Sequence, residues 1–116
     1  YANPDMVGHT GMLNAAVRAV EAIDECLGRL FAAVTKQNGV VLLTADHGNC
    51  ETMHDHTTDG PHTAHTMERV PVILINAPKN VTKLRDGKLA DVAPTLLQLM
   101  GLPQPAEMDG ESLIVS

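Results

Sequence analysis

Apolar positions Leu13, Val17, Val20, Leu27, Leu30, Phe31 and Val34 recur at three- and four-residue steps between residues 11 and 37. That is the period of one helical face and predicts a long amphipathic helix. Arg18, Glu21, Glu25 and Arg29 occupy the opposite face at spacings that suit solvated i,i+4 pairs, and "QNG" at 37–39 ends the helix. The run "VVLLTA", 40–45, is too short for a helix and does not alternate. It predicts a strand covered on both faces, and so a parallel sheet. Residues 46–69 carry Gly48, Gly60, Pro61 and five of the six histidines with little apolar material, the composition of a functional loop. "VPVILI", 70–75, predicts the next strand, with Pro71 at its entry or at a sheet edge. After a surface connection over 77–88, Asp91 suits an N-cap and Pro94 the first turn of a short helix, "VAPTLLQLM", closed by Gly101. "LPQPAEMDG" reads as coil. Neither repeats nor an internal boundary interrupt this pattern, which predicts one α/β domain over residues 1–116, with helices packed on a mainly parallel sheet.

Composition narrows the function. A chain of 116 residues fits one domain that buries roughly two-thirds of its unfolded surface. Only Tyr1 and Phe31 are aromatic, so the core is expected from Leu, Val, Ile, Ala and Met. The net charge of −6 and pI near 5.3, without clustered Lys and Arg, exclude a nucleic-acid or anionic-membrane surface. Cys26 and Cys50 are too few for a disulfide scaffold and are expected as free thiols in a reducing cytoplasm. No apolar run approaches the roughly 18 residues of a membrane span.

Candidate chemistry gathers in three short stretches. In "NPDMVGHTG", Asn3 suits an N-cap and Pro4 the first helical position, and a helical turn then sets Asp5 and His9 on one side about 5–6 Å apart. Asp46 and His47 stand together where the 40–45 strand ends, and "HTAHT" contributes His62 and His65 before the next strand. Sites in α/β sheets assemble where strands end in loops, so these groups can converge into an oxygen and nitrogen donor set suited to Mn²⁺, Zn²⁺ or Fe. Two such ions form a clamp for phosphoryl transfer. Taken singly, Asp46 also suits a turn, Asp5 a helix N-terminus, His54 and His56 solvent, and Cys50 a half-buried thiol. Spacing does not choose between His62 and His65.

Together "NPDMVGHTG", "TADHGNCE", "HTAHTMERVPV" and "LADVAPTLLQLMGLPQPAEMDGESL" resemble the C-terminal part of cofactor-independent (2,3-bisphosphoglycerate-independent) phosphoglycerate mutases, of the alkaline phosphatase superfamily. The resemblance runs essentially from end to end, and its last segment is shared more loosely with sulfatases. It implies part of an alkaline-phosphatase-like α/β sandwich, incomplete in this chain. It further implies two Mn²⁺ ions: Asp5, His9 and His65 match ligands of one, Asp46 and His47 ligands of the other.

The implied reaction interconverts 3-phosphoglycerate and 2-phosphoglycerate in glycolysis through a phosphoserine. In the family that serine and a further aspartate ligand of the second metal lie near the N-terminus, and an inserted domain supplies the substrate-binding arginines and the acid/base. Here the only serines, Ser112 and Ser116, sit in the tail. The resemblance therefore implies a portion of a longer enzyme, without a catalytic nucleophile of its own, whose partners are phosphoglycerates and the remainder of the same polypeptide. Exposed strand edges also make self-association an expectation. Another phosphomutase or hydrolase of the superfamily, or a non-catalytic metal-binding module, is the alternative.

Overall fold

The computed structural model describes residues 1–115; Ser116, one of the two tail serines, lies outside the described residues. A short helix α1 (Asn3–Gly8) leads through a tight turn into α2 (Leu13–Lys36), against which it packs. Strand β1 (Val41–Thr44) follows, then a small hairpin of β2 (His54–Asp55) and β3 (Gly60–Pro61), and strand β4 (Val72–Ile75). Strand β5 (Lys83–Leu84), a 3-10 turn (Leu89–Asp91), helix α3 (Val92–Leu99) and strand β6 (Ile114–Val115) complete the order.

The elements agree with the hydrophobic pattern, with shifts at their ends. Helix α2 starts at Leu13 rather than Gly11. Asn3 lies inside α1, with Ala2 at the capping position and Pro4 in the first turn. Gly101 follows α3 with φ +68°, the left-handed conformation that closes a helix.

The strand pairs among the described residues depart from expectation, because all are antiparallel. β1 pairs with β4 in the register Val41–Ile75 to Thr44–Val72, and β5 pairs with β6. The reason lies in the connection. Parallel neighbours need a crossover, usually a helix, whereas residues 45–71 contain only the hairpin and return the chain in the opposite sense. One end of this ladder therefore faces both edges of the histidine-rich loop.

Burial is also lower than the length predicts. The accessible surface is 8213 Å², against about 6,100 Å² for a compact monomer of this mass. The radius of gyration is 16.8 Å, against about 13 Å. Among the described residues, Ala16 and Leu113, each 3% exposed, form the buried hydrophobic core, while Leu13, Val17, Val20 and Leu30 of the α2 stripe stay exposed. The stripe has the right period but little to pack against.

Polar contacts hold the C-terminal part instead. Asp91 is 2% exposed. Its Oδ1 accepts from the Glu111 N–H at 2.9 Å and its Oδ2 from the Lys88 N–H at 3.1 Å, while Arg85 Nη2 lies 3.4 Å from Oδ2. Its side chain does not cap α3 as predicted; it ties the 85–91 and 110–113 segments together. Thr95, fully buried, donates to the Asp91 carbonyl at 2.6 Å and accepts from the Leu113 N–H at 2.9 Å. The N–H donors of Glu111 and Lys88, assisted by Arg85 against the cost of desolvation, hold the Asp91 carboxyl below its ordinary value. A lowered folded value means that the ionised form stabilises the fold above the ordinary value of about 3.9, and that this contribution is lost as pH falls through the folded value. Asp91→Asn, which leaves one backbone N–H without an acceptor, should lower the melting temperature by roughly 5 °C or more at pH 7. The gap to the parent should narrow below about pH 3.9; thermal denaturation at pH 7 and pH 3 measures both.

Candidate metal centre

Helix α1 and the loops at the two ends of the 45–71 connection meet at Asp5. One turn of helix carries His9 Nε2 to 3.3 Å from Asp5 Oδ1. His65 Nε2 reaches the same oxygen at 2.8 Å and His47 Nε2 stands 3.9 Å away. The His47 and His65 rings stack with centroids 3.8 Å apart and an interplanar angle of 21°, and His9 tilts against His65 at 4.9 Å.

The outer nitrogens decide the protonation pattern. His9 Nδ1–H donates to the Thr63 carbonyl at 2.6 Å and His47 Nδ1–H to the Gly48 carbonyl at 3.2 Å. Carbonyls only accept, so in each neutral ring Nε2 carries a lone pair. Two lone pairs thus point toward a carboxylate, and electron-rich atoms crowd together unless a proton or a cation lies among them. Donor atoms of Asp5, His9 and His65 all lie within 4.8 Å of one another; ligands about 2 Å from a common ion stand at most about 4 Å apart, and His9 Nε2 and His65 Nε2, at 3.3 and 2.8 Å from Asp5 Oδ1, each meet that limit. Carbonyl-anchored Nδ1 groups are also the usual support of metal-binding imidazoles. The donor set fits a divalent cation.

Asp5, His9 and His65 therefore come together, with His47 beside them. Asp46 stands apart: its side chain is 87% exposed, its Oδ1 accepts from the His47 N–H at 3.1 Å and lies 3.7 Å from His47 Nε2. It leads into a cleft of about 460 Å³ lined also by Thr44, Thr66, Arg69 and Lys88. His54 sits in the hairpin, 3.4 Å from Asp59 and edge-on to His56, outside the cluster. His62 has a buried Nδ1 without a hydrogen-bond partner.

Three more residues shape the centre: Cys50, already expected as a half-buried thiol, and Asn49 and Glu51, which the sequence does not single out. Asn49, 5% exposed, donates from Nδ2 to Asp5 Oδ1 at 3.3 Å, and its amide oxygen lies where a Cβ on Gly8 would stand. Glu51 accepts from the Asn49 N–H at 2.8 Å and from the Thr66 hydroxyl. Cys50 donates its thiol to the Pro4 carbonyl at 2.8 Å. Their partners are fifteen to forty-six positions away along the chain, so no local spacing marks them. Burial, with Glu51 and Asp5 nearby, pushes the Cys50 thiol up, which keeps it protonated and unlike a thiolate ligand. Burial would raise the Glu51 carboxyl, but hydrogen bonds from Thr66 and the backbone, with His62 close by, bring it below its ordinary value. For Asp5 desolvation likewise acts upward and is overcome by His65, His9 and His47, so its value is lowered.

A model of the metalloenzyme superfamily matches residues 1–104. The chain belongs to this superfamily. Over 114 residues it is 66% identical to a 2,3-bisphosphoglycerate-independent phosphoglycerate mutase of Cereibacter sphaeroides and 62% identical to one of Ruegeria pomeroyi, covering 98% of this chain and 22% of each relative. A crystal structure of Leishmania mexicana phosphoglycerate mutase at low cobalt concentration superposes with a TM-score of 0.85 at 36% identity, over 99% of this chain and 24% of that one. The chain therefore folds as the corresponding quarter of that α/β mutase. The chain spans about a fifth of the length of the curated relatives it matches. Superfamily membership carries divalent-metal dependence with it, and no helix among the described residues is long and apolar enough to cross a membrane.

In the full-length protein, Asp5→Asn should weaken Mn²⁺ binding by more than the roughly 10–100-fold typical of losing a supporting group. Parent affinity should be lower at pH 5.5 than at pH 7.5, since only neutral imidazole binds. Isothermal titration of metal-free protein at pH 7.5 and 5.5 measures both.

Proposed function

We propose that the chain is the C-terminal, metal-binding part of a cofactor-independent phosphoglycerate mutase, an isomerase of glycolysis that interconverts 3-phosphoglycerate and 2-phosphoglycerate in the cytoplasm. The observation that carries this reading is the convergence of Asp5 with His9 and His65 in a chain so similar to named mutases. Residues 1–116 are then one part of the phosphatase-like domain, and the remainder of the polypeptide brings the serine nucleophile and the groups that bind phosphoglycerate. Ser112 suits no such role, because its hydroxyl accepts from the Ile114 N–H at 3.2 Å in the tail.

Asp5, His9 and His65 would hold one Mn²⁺, and Asp46 with His47 would contribute to a second. Such ions supply positive charge for phosphate oxygens and lower the pKa of an attacking hydroxyl. The chain's own contribution is positional and electrostatic. Thr63 and Gly48 fix the ring tautomers of His9 and His47. The Asn49 amide steadies Asp5 while leaving its charge in place. Asp46, exposed at the mouth of the cleft, has a carboxylate free to turn toward groups outside this chain. Positioning of this kind matters because phosphoryl transfer depends on alignment and charge stabilisation.

The test compares His65→Ala with His62→Ala in the complete enzyme at saturating Mn²⁺, measuring bound metal and turnover of 3-phosphoglycerate. His65→Ala should lose one ion and most activity, while His62→Ala keeps both ions and loses roughly 10–100-fold at most. Retention of both ions and near-normal turnover by His65→Ala would reverse the assignment. Preference for simple phosphate esters over phosphoglycerates would favour a hydrolase of the superfamily. The 116-residue chain alone should show no turnover, since metal ions do not replace a covalent acceptor.

A further inference from the structure

Between the two histidine-bearing loops lies a carboxylate that the centre itself does not use. Glu51 Oε2 accepts from the Asn49 N–H at 2.8 Å, and Glu51 Oε1 accepts from the Thr66 hydroxyl. Thr66 follows His65 directly and donates its own N–H to the Gly48 carbonyl at 2.9 Å, forming an isolated antiparallel bridge. Gly48 follows His47. Asn49, whose backbone Glu51 holds, extends its amide to Asp5 Oδ1 at 3.3 Å. The path Thr66, Glu51, Asn49, Asp5 thus links the His65 loop, the turn after His47 and helix α1. The closure is tight, because a Cβ on Gly48 would collide with Glu51 Oε1 and Thr66 Oγ1.

We propose that Glu51 is a positioning residue that clamps the His65 loop to the His47 turn and aims Asn49 at Asp5, aligning the donor atoms before a divalent cation binds. The role rests on the metal-centre reading above. A carboxylate suits it because both oxygens accept at once. Glutamine retains both arms, since the Thr66 hydroxyl can accept from its amide; alanine retains neither. Thr66→Val removes one arm at nearly constant volume, whereas Thr66→Ser keeps the hydroxyl.

The experiment uses the full-length protein, titrating metal-free samples with Mn²⁺ and recording the visible absorption of Co²⁺-loaded samples, whose bands report ligand geometry. Glu51→Ala and Thr66→Val should weaken Mn²⁺ binding by roughly 10–100-fold and shift the Co²⁺ bands. Glu51→Gln and Thr66→Ser should stay close to the parent in both. A merely structural contact would lower the melting temperature of the metal-free protein and leave affinity and bands unchanged, which overturns the proposal. If Glu51→Ala does not fold, the Thr66→Val and Thr66→Ser pair decides. Parent-like binding by Asp5→Asn would overturn the metal centre and the clamp with it. Loss of binding in Asp5→Asn, with parent-like Glu51→Ala and Thr66→Val, would leave the centre standing and overturn the clamp alone.

Discussion

The crowding of electron-rich atoms around Asp5 Oδ1 is the constraint on which the rest of the site depends. A carboxylate oxygen with imidazole nitrogens at 2.8, 3.3 and 3.9 Å needs a proton or a cation among them, because the neutral rings of His9 and His47, anchored through Nδ1, turn lone pairs inward. Much of the local architecture serves to hold that arrangement. Helix α1 sets Asp5 and His9 one turn apart, the Thr63 and Gly48 carbonyls set ring orientation, and stacking keeps His47 and His65 together.

Apart from α1, the supporting segments have little regular structure. Their geometry comes from the β1–β4 ladder, which pins both ends of the 45–71 connection, and from polar side-chain contacts across it. The Asn49–Glu51 contact is partly shielded from water, where hydrogen bonds are stronger and an unmatched group is costlier. This favours a single arrangement of the loops. The C-terminal part uses the same strategy around Asp91 and Thr95. Polar knots rather than a large apolar core organise both regions, in keeping with a chain that spans about a fifth of its relatives and leaves Leu13, Val17, Val20 and Leu30 of the α2 stripe exposed.

The elements themselves were legible in the residue pattern. Helices α2 and α3 and strands β1 and β4 follow from local periodicity, since turn-by-turn burial is written into spacings of three and four residues and into short apolar runs. Asp5 with His9 was equally legible, because one helical turn fixes their relation. The choice of His65 over His62 was not, and came from resemblance to a family.

Strand direction, the depth of the core and the polar clamps were decided by tertiary structure alone. An apolar run is the same in parallel and antiparallel sheets, so "VVLLTA" could not reveal that the chain returns to it without a crossover helix. Asp91 looked like a cap by position, yet its carboxylate reaches Lys88 and Glu111 instead. Asn49, Glu51 and Thr66 act on partners far along the chain or across a loop. By itself the sequence determined local conformation and the types of donor available, both properties of near neighbours. Which donors meet, and what holds them there, depends on distances between segments that only the folded backbone establishes.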